Sequence, residues 1–154
     1  MSLVSELSDK RLKYKTIHRE GILDKFCGVQ GSQRIIDRKY FSQLWEGYTW
    51  AAIIGFIYDK RVPLGSGGKG DAFKFSVINN NGGELADALI LLALSKSQKG
   101  YKCLTEPDEI IKVIEEYANG GFEIIQSKIR EDESHFNNPD AFIEELLERK
   151  ETLA

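Results

Sequence analysis

The chain has 154 residues, 42% of them apolar, and a formal net charge of −3, which predicts one domain with a single core. Its longest apolar runs have about half the length that a bilayer span needs, so we expect a soluble, cytoplasmic protein. Cys27 and Cys103 have no C-x-x-C partner, and neither a zinc site nor a disulfide framework is predicted.

The charge is distributed unevenly. Residues 1–70 carry 12 Lys/Arg against 7 Asp/Glu, a balance of +5, and residues 71–154 carry 9 against 17, a balance of −8. Such polarity can direct a basic face towards a polyanion. The alternative is a set of solvated helix faces without a binding role.

The first part of the chain predicts helices. Residues 1–33 are interpreted as an N-terminal extension of a single domain, 1–154, with a loose helical period over Leu3, Val4, Leu7, Lys10, Arg11 and Tyr14. A second apolar cluster contains Ile22, Leu23 and Phe26. Asp37 can then cap a long helix with an aromatic stripe on one face, which we interpret as core: Phe41, Leu44, Trp45, Tyr48, Ala52 and Phe56.

The glycine-rich stretch from Gly65 to Gly70 matches G-x-G-x-x-G in its letters. A nucleotide cradle needs a strand before these glycines and a helix after them, and the sequence has neither. We interpret residues 65–70 as a flexible loop. Residues 73–78 alternate like a strand and are predicted to pair with 61–64, which gives a short two-stranded β-hairpin around residues 61–78.

The second half completes a mainly α fold, a compact bundle of about five helices. Residues 85–94 are apolar nearly all round, which predicts a helix buried in the middle of the bundle. Thr105 is predicted to cap the next helix. The last helix is predicted to start near Asn138-Pro139-Asp140, with an inner side formed by Phe142, Ile143, Leu146 and Leu147.

Asn119-Gly120-Gly121 interrupts the fifth helical pattern like a stop signal. Apolar residues nevertheless keep helical spacing straight across it: Ile111, Ile114, Ala118, Phe122, Ile125 and Ile129. We predict a continuous helix, and because two helical glycines cost about 2 kcal/mol relative to alanine, a neighbouring backbone should approach them closely. Tyr117, Asn119, Gly120 and Gly121 thus form a candidate notch, either for packing against the 85–94 helix or for docking a partner, including a second copy in a homodimer.

Catalytic patterns are weak. The two histidines, His18 and His135, stand in no recognisable nucleophilic pair, and a di-metal site would need a second D-x-x-H-like motif beside Asp132. Asp140, Glu148 and Lys150 occur in the same order as the metal-site residues of a nuclease family. Their helical spacing prevents the three side chains from converging on one metal ion. No catalytic residue, metal ligand or cofactor is predicted.

Cationic residues on both sides of the aromatic helix are the better chemical candidate. They predict a nucleic-acid-binding surface made of Arg34, Arg38, Lys39, Lys60 and Arg61, with Lys69 on the glycine loop. Arginine and lysine near a flexible loop can bind a backbone phosphate. The alternative is a solvated surface with local ion pairs to Asp37 and Asp59.

Two motif blocks resemble a known family. "WAAIIGFIYDKRVPL" (50–64) and "IIKVIEEYANGGFEIIQ" (110–126) are similar to a small accessory family of the Dnd DNA phosphorothioation systems, numbered as system-associated protein four. The matching residues are Ala51, Ala52, Gly55, Arg61, Val62, Pro63 and Leu64, then Glu115 to Gly121, Glu123 and Ile124. The glycine loop and the residues up to Ser32 depart from the family pattern.

The resemblance implies a context of bacterial defence, by sulphur modification of the DNA backbone or by restriction of unmodified DNA, and it implies no reaction. We therefore predict a non-enzymatic adaptor that contacts a partner protein of such a system and duplex DNA. The alternative is a metal-dependent nuclease subunit.

Overall fold

The computed structural model describes residues 2–27, 41, 43–136, 138 and 140–153. Most of these residues are helical, which confirms the predicted mainly α fold. The helices are α1 (Leu3–Ser8), α2 (Thr16–His18), α3 (Asp24–Phe26), α4 (Leu44–Ile57), α5 (Phe75–Asn81), α6 (Gly83–Lys96), α7 (Pro107–Glu131) and α8 (Asp140–Leu153). A π-helical turn, Arg19–Leu23, joins α2 to α3, and a 3₁₀ turn, Gly100–Thr105, precedes α7. Two strands are described, β1 (Arg11–Lys15) and β2 (Lys69–Lys74).

Helix α7 lies at the centre of the molecule and packs chiefly against α4. It is one continuous helix across Asn119-Gly120-Gly121, which confirms the continuity predicted from its apolar spacing. Its N-cap is Glu106, with Pro107 in the first turn, where its missing N–H costs nothing. The predicted cap, Thr105, is therefore wrong: its hydroxyl donates a hydrogen bond to the carbonyl of Lys102 within the 3₁₀ turn.

Helix α4 supplies the other half of the central packing. The predicted aromatic stripe lies in the core, since Phe41, Tyr48, Ala52 and Phe56 are buried and Leu44 and Trp45 are partly buried. The helix itself begins at Leu44. Gln43 is its N-cap residue, and the Gln43 side chain forms no capping hydrogen bond. The predicted cap, Asp37, lies outside the described residues.

The two strands form an antiparallel sheet in which Arg11 lies opposite Lys74 and Lys15 lies opposite Lys69, with an irregularity after Leu12. The predicted hairpin partner was wrong, because residues 61–64 contact α7 and β2 pairs with β1. The helical interpretation of Lys10 to Tyr14 was also wrong: Leu12 and Tyr14 are buried and alternate with exposed or half-buried residues, as expected of a half-buried strand. Residues 69 and 70 belong to β2, so the glycine loop is shorter than predicted, and residues 75–81 are helical.

Helices α6 and α8 cover the central pair from outside. Helix α6 is not the buried helix predicted for residues 85–94, since only Ala86, Leu89 and Ala93 are buried and Leu91 is 64% exposed. Phe142 is buried and Leu146 is partly buried against the core, as predicted for the inner side of α8, together with Ala141 and Glu145. Ile143 and Leu147 are 48% and 54% exposed, contrary to the prediction. Among the described residues, no helix is long and apolar enough to cross a membrane.

Candidate functional site at the α4–α7 crossing

The backbones of α4 and α7 touch where glycines remove the side chains between them. A Cβ on Gly55 would overlap the carbonyl oxygen of Tyr117, and a Cβ on Gly121 would overlap the carbonyl oxygen of Ala51. Gly120 lies in the same way against the carbonyl of Lys60. The close neighbour of the candidate notch is therefore α4 and the turn that follows it, whereas the prediction had named the 85–94 helix.

The turn after α4 is fixed by a Schellman motif. The amide of Lys60 donates to the carbonyl of Gly55 (2.9 Å), and the amide of Asp59 donates to that of Phe56 (3.1 Å). Asp59 takes the left-handed position with φ 52°, which is unusual for a residue other than glycine. This geometry places the Lys60 carbonyl on Gly120 and directs residues 61–64 along α7.

Asn119 ties this turn to the N-terminal region. Its Nδ2 donates to the carbonyls of Val62 (3.1 Å) and Pro63 (3.3 Å), so its Oδ1 accepts from Nε2 of His18 at 2.8 Å. The His18 ring also stacks on Phe122, with centroids 4.9 Å apart. Burial lowers the pKa of His18, and the hydrogen bond to Asn119 opposes this shift. The three segments thus meet through one side chain that is 2% exposed.

Arg61 and Lys60 both point at carboxylates of α7. Nε and Nη2 of Arg61 lie 2.8 Å from Oε1 of Glu116, a buried side chain, and the next amide, that of Val62, donates to the Glu116 carbonyl. Nζ of Lys60 lies 3.5 Å from Glu123. The other three predicted nucleic-acid-binding residues, Arg34, Arg38 and Lys39, lie outside the described residues.

A second polar cluster joins α8 to the rest. Oε2 of Glu145 accepts from the Tyr58 hydroxyl at 2.6 Å, and its Oε1 accepts from Nε2 of His135 at 2.7 Å, with Nζ of Lys128 3.7 Å away. Burial acts to raise the pKa of Glu145, but these hydrogen bonds and the lysine charge outweigh it and lower the pKa. The carboxylate, 3% exposed, therefore stays ionised inside the fold.

A third polar group lies beside β1. Oε2 of Glu115 accepts the backbone amide of Lys13 at 2.7 Å, and the Lys13 carbonyl accepts from the hydroxyl of buried Tyr48 at 2.8 Å. Burial raises the pKa of Glu115 to about 7, and the hydrogen bond and charge of Lys13 only partly oppose it. Glu115 thus titrates near neutral pH.

The nuclease alternative needs a metal site, and these clusters do not provide one. In the described part of the chain, no group of three or more His, Cys, Asp or Glu side chains could hold a metal ion. Asp140 and Glu148 lie eight positions apart on α8, about 12 Å along its axis. The order that imitates a nuclease is therefore spread along one helix.

The comparisons with known proteins bear on the two motif blocks. A family model described as DNA sulphur modification system-associated protein 4 matches residues 34–152, which contain both blocks. The chain belongs to this family. The resemblance seen in the sequence is thereby confirmed. Comparison with curated proteins and with solved structures gave no match.

In this member of the DNA sulphur modification system-associated protein 4 family, the motif residues form the contact between α4 and α7. Residues 61–64 and 116–121 are more than fifty positions apart, and they meet through Arg61, Asn119 and the two glycines. The segment before residue 34 lies outside the family match, yet it supplies His18 to Asn119 and strand β1 to Glu115.

Sequence reasoning missed several of these residues. His18 and Glu145 carry no local motif, and Glu115 lies in the second motif block without a predicted role, so only their tertiary partners mark them. Strand β1 did have a signal: Arg11-Leu-Lys-Tyr-Lys15 alternates strictly between polar and apolar residues, which is typical of a half-buried strand.

Proposed function

We propose that this protein is a non-enzymatic adaptor of a bacterial DNA phosphorothioation system, which binds a partner protein of that system and duplex DNA. The observation that supports an adaptor is the use of the family motif. Asn119, Gly120 and Gly121 pack against the chain itself, and Arg61 pairs with Glu116. Because these residues build a scaffold, the function falls to the outer surfaces.

The exposed face of α8 is our candidate for the contact with the partner protein. Ile143 and Leu147 lie one helical turn apart and leave about half of their side-chain surface in solvent. Two aliphatic side chains at this spacing are typical of a helix that binds in a partner's groove.

Pull-down from native cells tests the adaptor. The tagged native chain should capture a protein of the modification or restriction system, and a variant with Ile143→Asp and Leu147→Asp should lose it. Ile17→Asp is the matched control, since Ile17 is also exposed but lies on α2. Capture that is unchanged in the α8 variant would remove α8 from the interface, and light scattering of the same samples would reveal a homodimer.

The nuclease alternative is tested with the purified chain and plasmid in Mg²⁺ or Mn²⁺. We expect intact plasmid. Metal-dependent cleavage that disappears in Asp140→Ala would overturn the non-enzymatic proposal.

DNA contact through Arg34, Arg38, Lys39, Lys60 and Arg61 stays a proposal. For Lys60 and Arg61 a phosphate would have to replace an existing carboxylate partner, Glu123 or Glu116. That competition lowers the free energy that these two residues can contribute to DNA binding. Cations that form no ion pair with a described carboxylate can contribute more.

A further inference from the structure

The outward face of the β1–β2 sheet, here called the basic ribbon, concentrates positive charge. Its five cations are Arg11, Lys13, Lys15, Lys69 and Lys74. Leu12 and Tyr14 occupy the opposite face and are buried, so the alternation of β1 turns all three of its cations outward. Residues directly opposite each other share a face, which adds the two lysines of β2. Asp71 is opposite Lys13 in the register and Glu115 of α7 lies beside Lys13, but the five basic residues still outnumber these acidic ones.

Among the described side chains, the basic ribbon is paired less closely with carboxylates than other basic residues are: the charges of Lys13 and Lys69 act on Glu115, but neither forms an ion pair with it. None of the five forms an ion pair with another side chain that the structure describes, whereas Lys10 next to them pairs with Asp108 at 2.6 Å. The register also places Arg11 directly opposite Lys74 and Lys15 directly opposite Lys69. Like charges opposite each other destabilise a strand pair, so a bound anion would remove a cost already present in the fold.

The dimensions suit a nucleic-acid backbone. Four residue steps from Arg11 to Lys15 span about 14 Å, and the two strands lie about 5 Å apart. One DNA strand carries a phosphate about every 3.4 Å along the helix axis, so the basic ribbon can face about four successive phosphates. A two-stranded ribbon is also narrow enough for the major groove, which is about 12 Å wide.

We propose that the basic ribbon is a binding site for the phosphates of duplex DNA. This proposal rests on the adaptor function proposed above and names the surface that would contact DNA. The proposed contacts of this face are with phosphates and not with base edges. Binding should therefore be insensitive to the DNA sequence and steeply dependent on salt.

Three variants with equal charge changes test the site. The ribbon variant carries Arg11→Gln, Lys69→Gln and Lys74→Gln; the upstream variant carries Arg34→Gln, Arg38→Gln and Lys39→Gln. The control variant carries Lys102→Gln, Lys112→Gln and Arg130→Gln, three exposed cations before or on α7. Each is titrated against a labelled duplex of about 20 base pairs, long enough to present two turns of the phosphate backbone, at several salt concentrations. Circular dichroism checks that each variant is folded.

The native chain should bind at low salt, and the ribbon variant should bind about tenfold more weakly or worse. Its slope of log affinity against log salt should flatten by about 0.9 for each lost phosphate contact. The control variant should retain native affinity and slope.

The outcomes separate this proposal from the adaptor function. If the ribbon variant keeps native DNA affinity and the upstream variant loses it, the ribbon proposal is overturned. DNA binding by the adaptor is then unaffected. No binding by the native chain at low salt overturns the ribbon and the DNA contact together, while partner capture is unaffected. Binding to vesicles of anionic lipid without binding to DNA also overturns the ribbon proposal. Equal DNA affinity of the native chain and all three variants overturns it as well, and the lysines would then serve only to prevent edge-to-edge pairing.

Discussion

The carbonyl oxygen of Ala51 occupies the place that a methyl group on Gly121 would need. Gly121→Ala should therefore lower stability although alanine is the better helix former by about 1 kcal/mol. The obstacle is backbone, which cannot rotate away, so we expect a net loss of about 1–3 kcal/mol, as is usual for overpacking. Denaturant unfolding measures it.

The control for this change is Gly83→Ala. Gly83 also lies in a helix, and apart from its chain neighbours and the backbone of its own helix, a methyl group added there would have no atom within 4 Å. This variant should be neutral or slightly stabilising. Equal stability of both alanine variants would contradict the close crossing of α4 and α7.

Asn119→Ala should destabilise the protein by about 1–3 kcal/mol, because it leaves the buried His18 ring without its partner and removes the donor to the carbonyls of Val62 and Pro63. Asn119→Asp should cost at least as much, since a carboxylate cannot donate to two carbonyls. Asn80→Ala on the exposed side of α5 is the control. Thermal unfolding of all three variants gives the comparison. If Asn119→Ala were as stable as the native protein, the proposed stabilising role of Asn119 between His18 and residues 62–63 would be contradicted.

Glu115→Gln should stabilise the protein at pH 8 more than at pH 5. The folded-state pKa of Glu115 is raised from 4.5 to about 7, so folding favours the protonated form. Its contribution is fully present below pH 4.5 and is lost as the pH rises through 7. Glutamine resembles the protonated acid and can still accept the amide of Lys13.

Melting temperatures of native and Glu115→Gln protein at both pH values check this, with Glu84→Gln on exposed α6 surface as control. The difference between native and Glu115→Gln should grow with pH, and a constant difference would contradict the burial of this carboxyl. For a domain of this size, about 1 kcal/mol corresponds to about 2–4 °C.

Glu145→Gln should loosen α8. The carboxylate is held by Tyr58 and His135, and its lowered pKa means that its stabilisation is present above the unfolded value, 4.5, and is lost as the pH falls through the folded value. Hydrogen bonds to a buried charge contribute about 1.5–3 kcal/mol. Unfolding at pH 7 and pH 4 should show a cost for Glu145→Gln that shrinks in acid, and an equal cost at both pH values would argue against an ionised Glu145.

A chain shortened to residues 34–154, the start of the family match, should not fold. It lacks Leu7, Leu12, Leu23 and Phe26, which are at most 1% exposed in the core. Circular dichroism should show no cooperative melting, and a peptide of residues 1–33 added in excess should restore it. Cooperative melting of the shortened chain alone would make these residues a dispensable extension.

Sequence spacing predicted α7 well, across its glycines, because one face of that helix is consistently apolar, and it placed the buried stripe of α4 in the core, although α4 begins only at Leu44. It failed where the partner was distant: Phe73 was assigned to a hairpin with residues 61–64 because they are close in sequence, yet β2 pairs with β1, more than fifty residues earlier. No local pattern specifies such a pairing.

Polar residues in the core were the other failure. The helical spacing of α8 predicted Ile143 and Leu147 on its inner side, but the buried position between them belongs to Glu145. A carboxylate can take that place because Tyr58 and His135, which lie outside α8, donate hydrogen bonds to it, and no helical spacing within α8 indicates either partner. The candidate site depends on the same kind of contact, through His18 and Asn119.

The contacts of Lys13 have a consequence for self-association. On the side of β1 away from β2, Glu115 accepts its N–H and Tyr48 donates to its C=O, so two side chains occupy the positions that a third strand would use. At this residue the sheet cannot be extended by an added strand, from a partner peptide or from another copy in an aggregate. A strand added along this edge of β1 would have to displace both side chains, whereas the face of the sheet stays open to side-chain contacts.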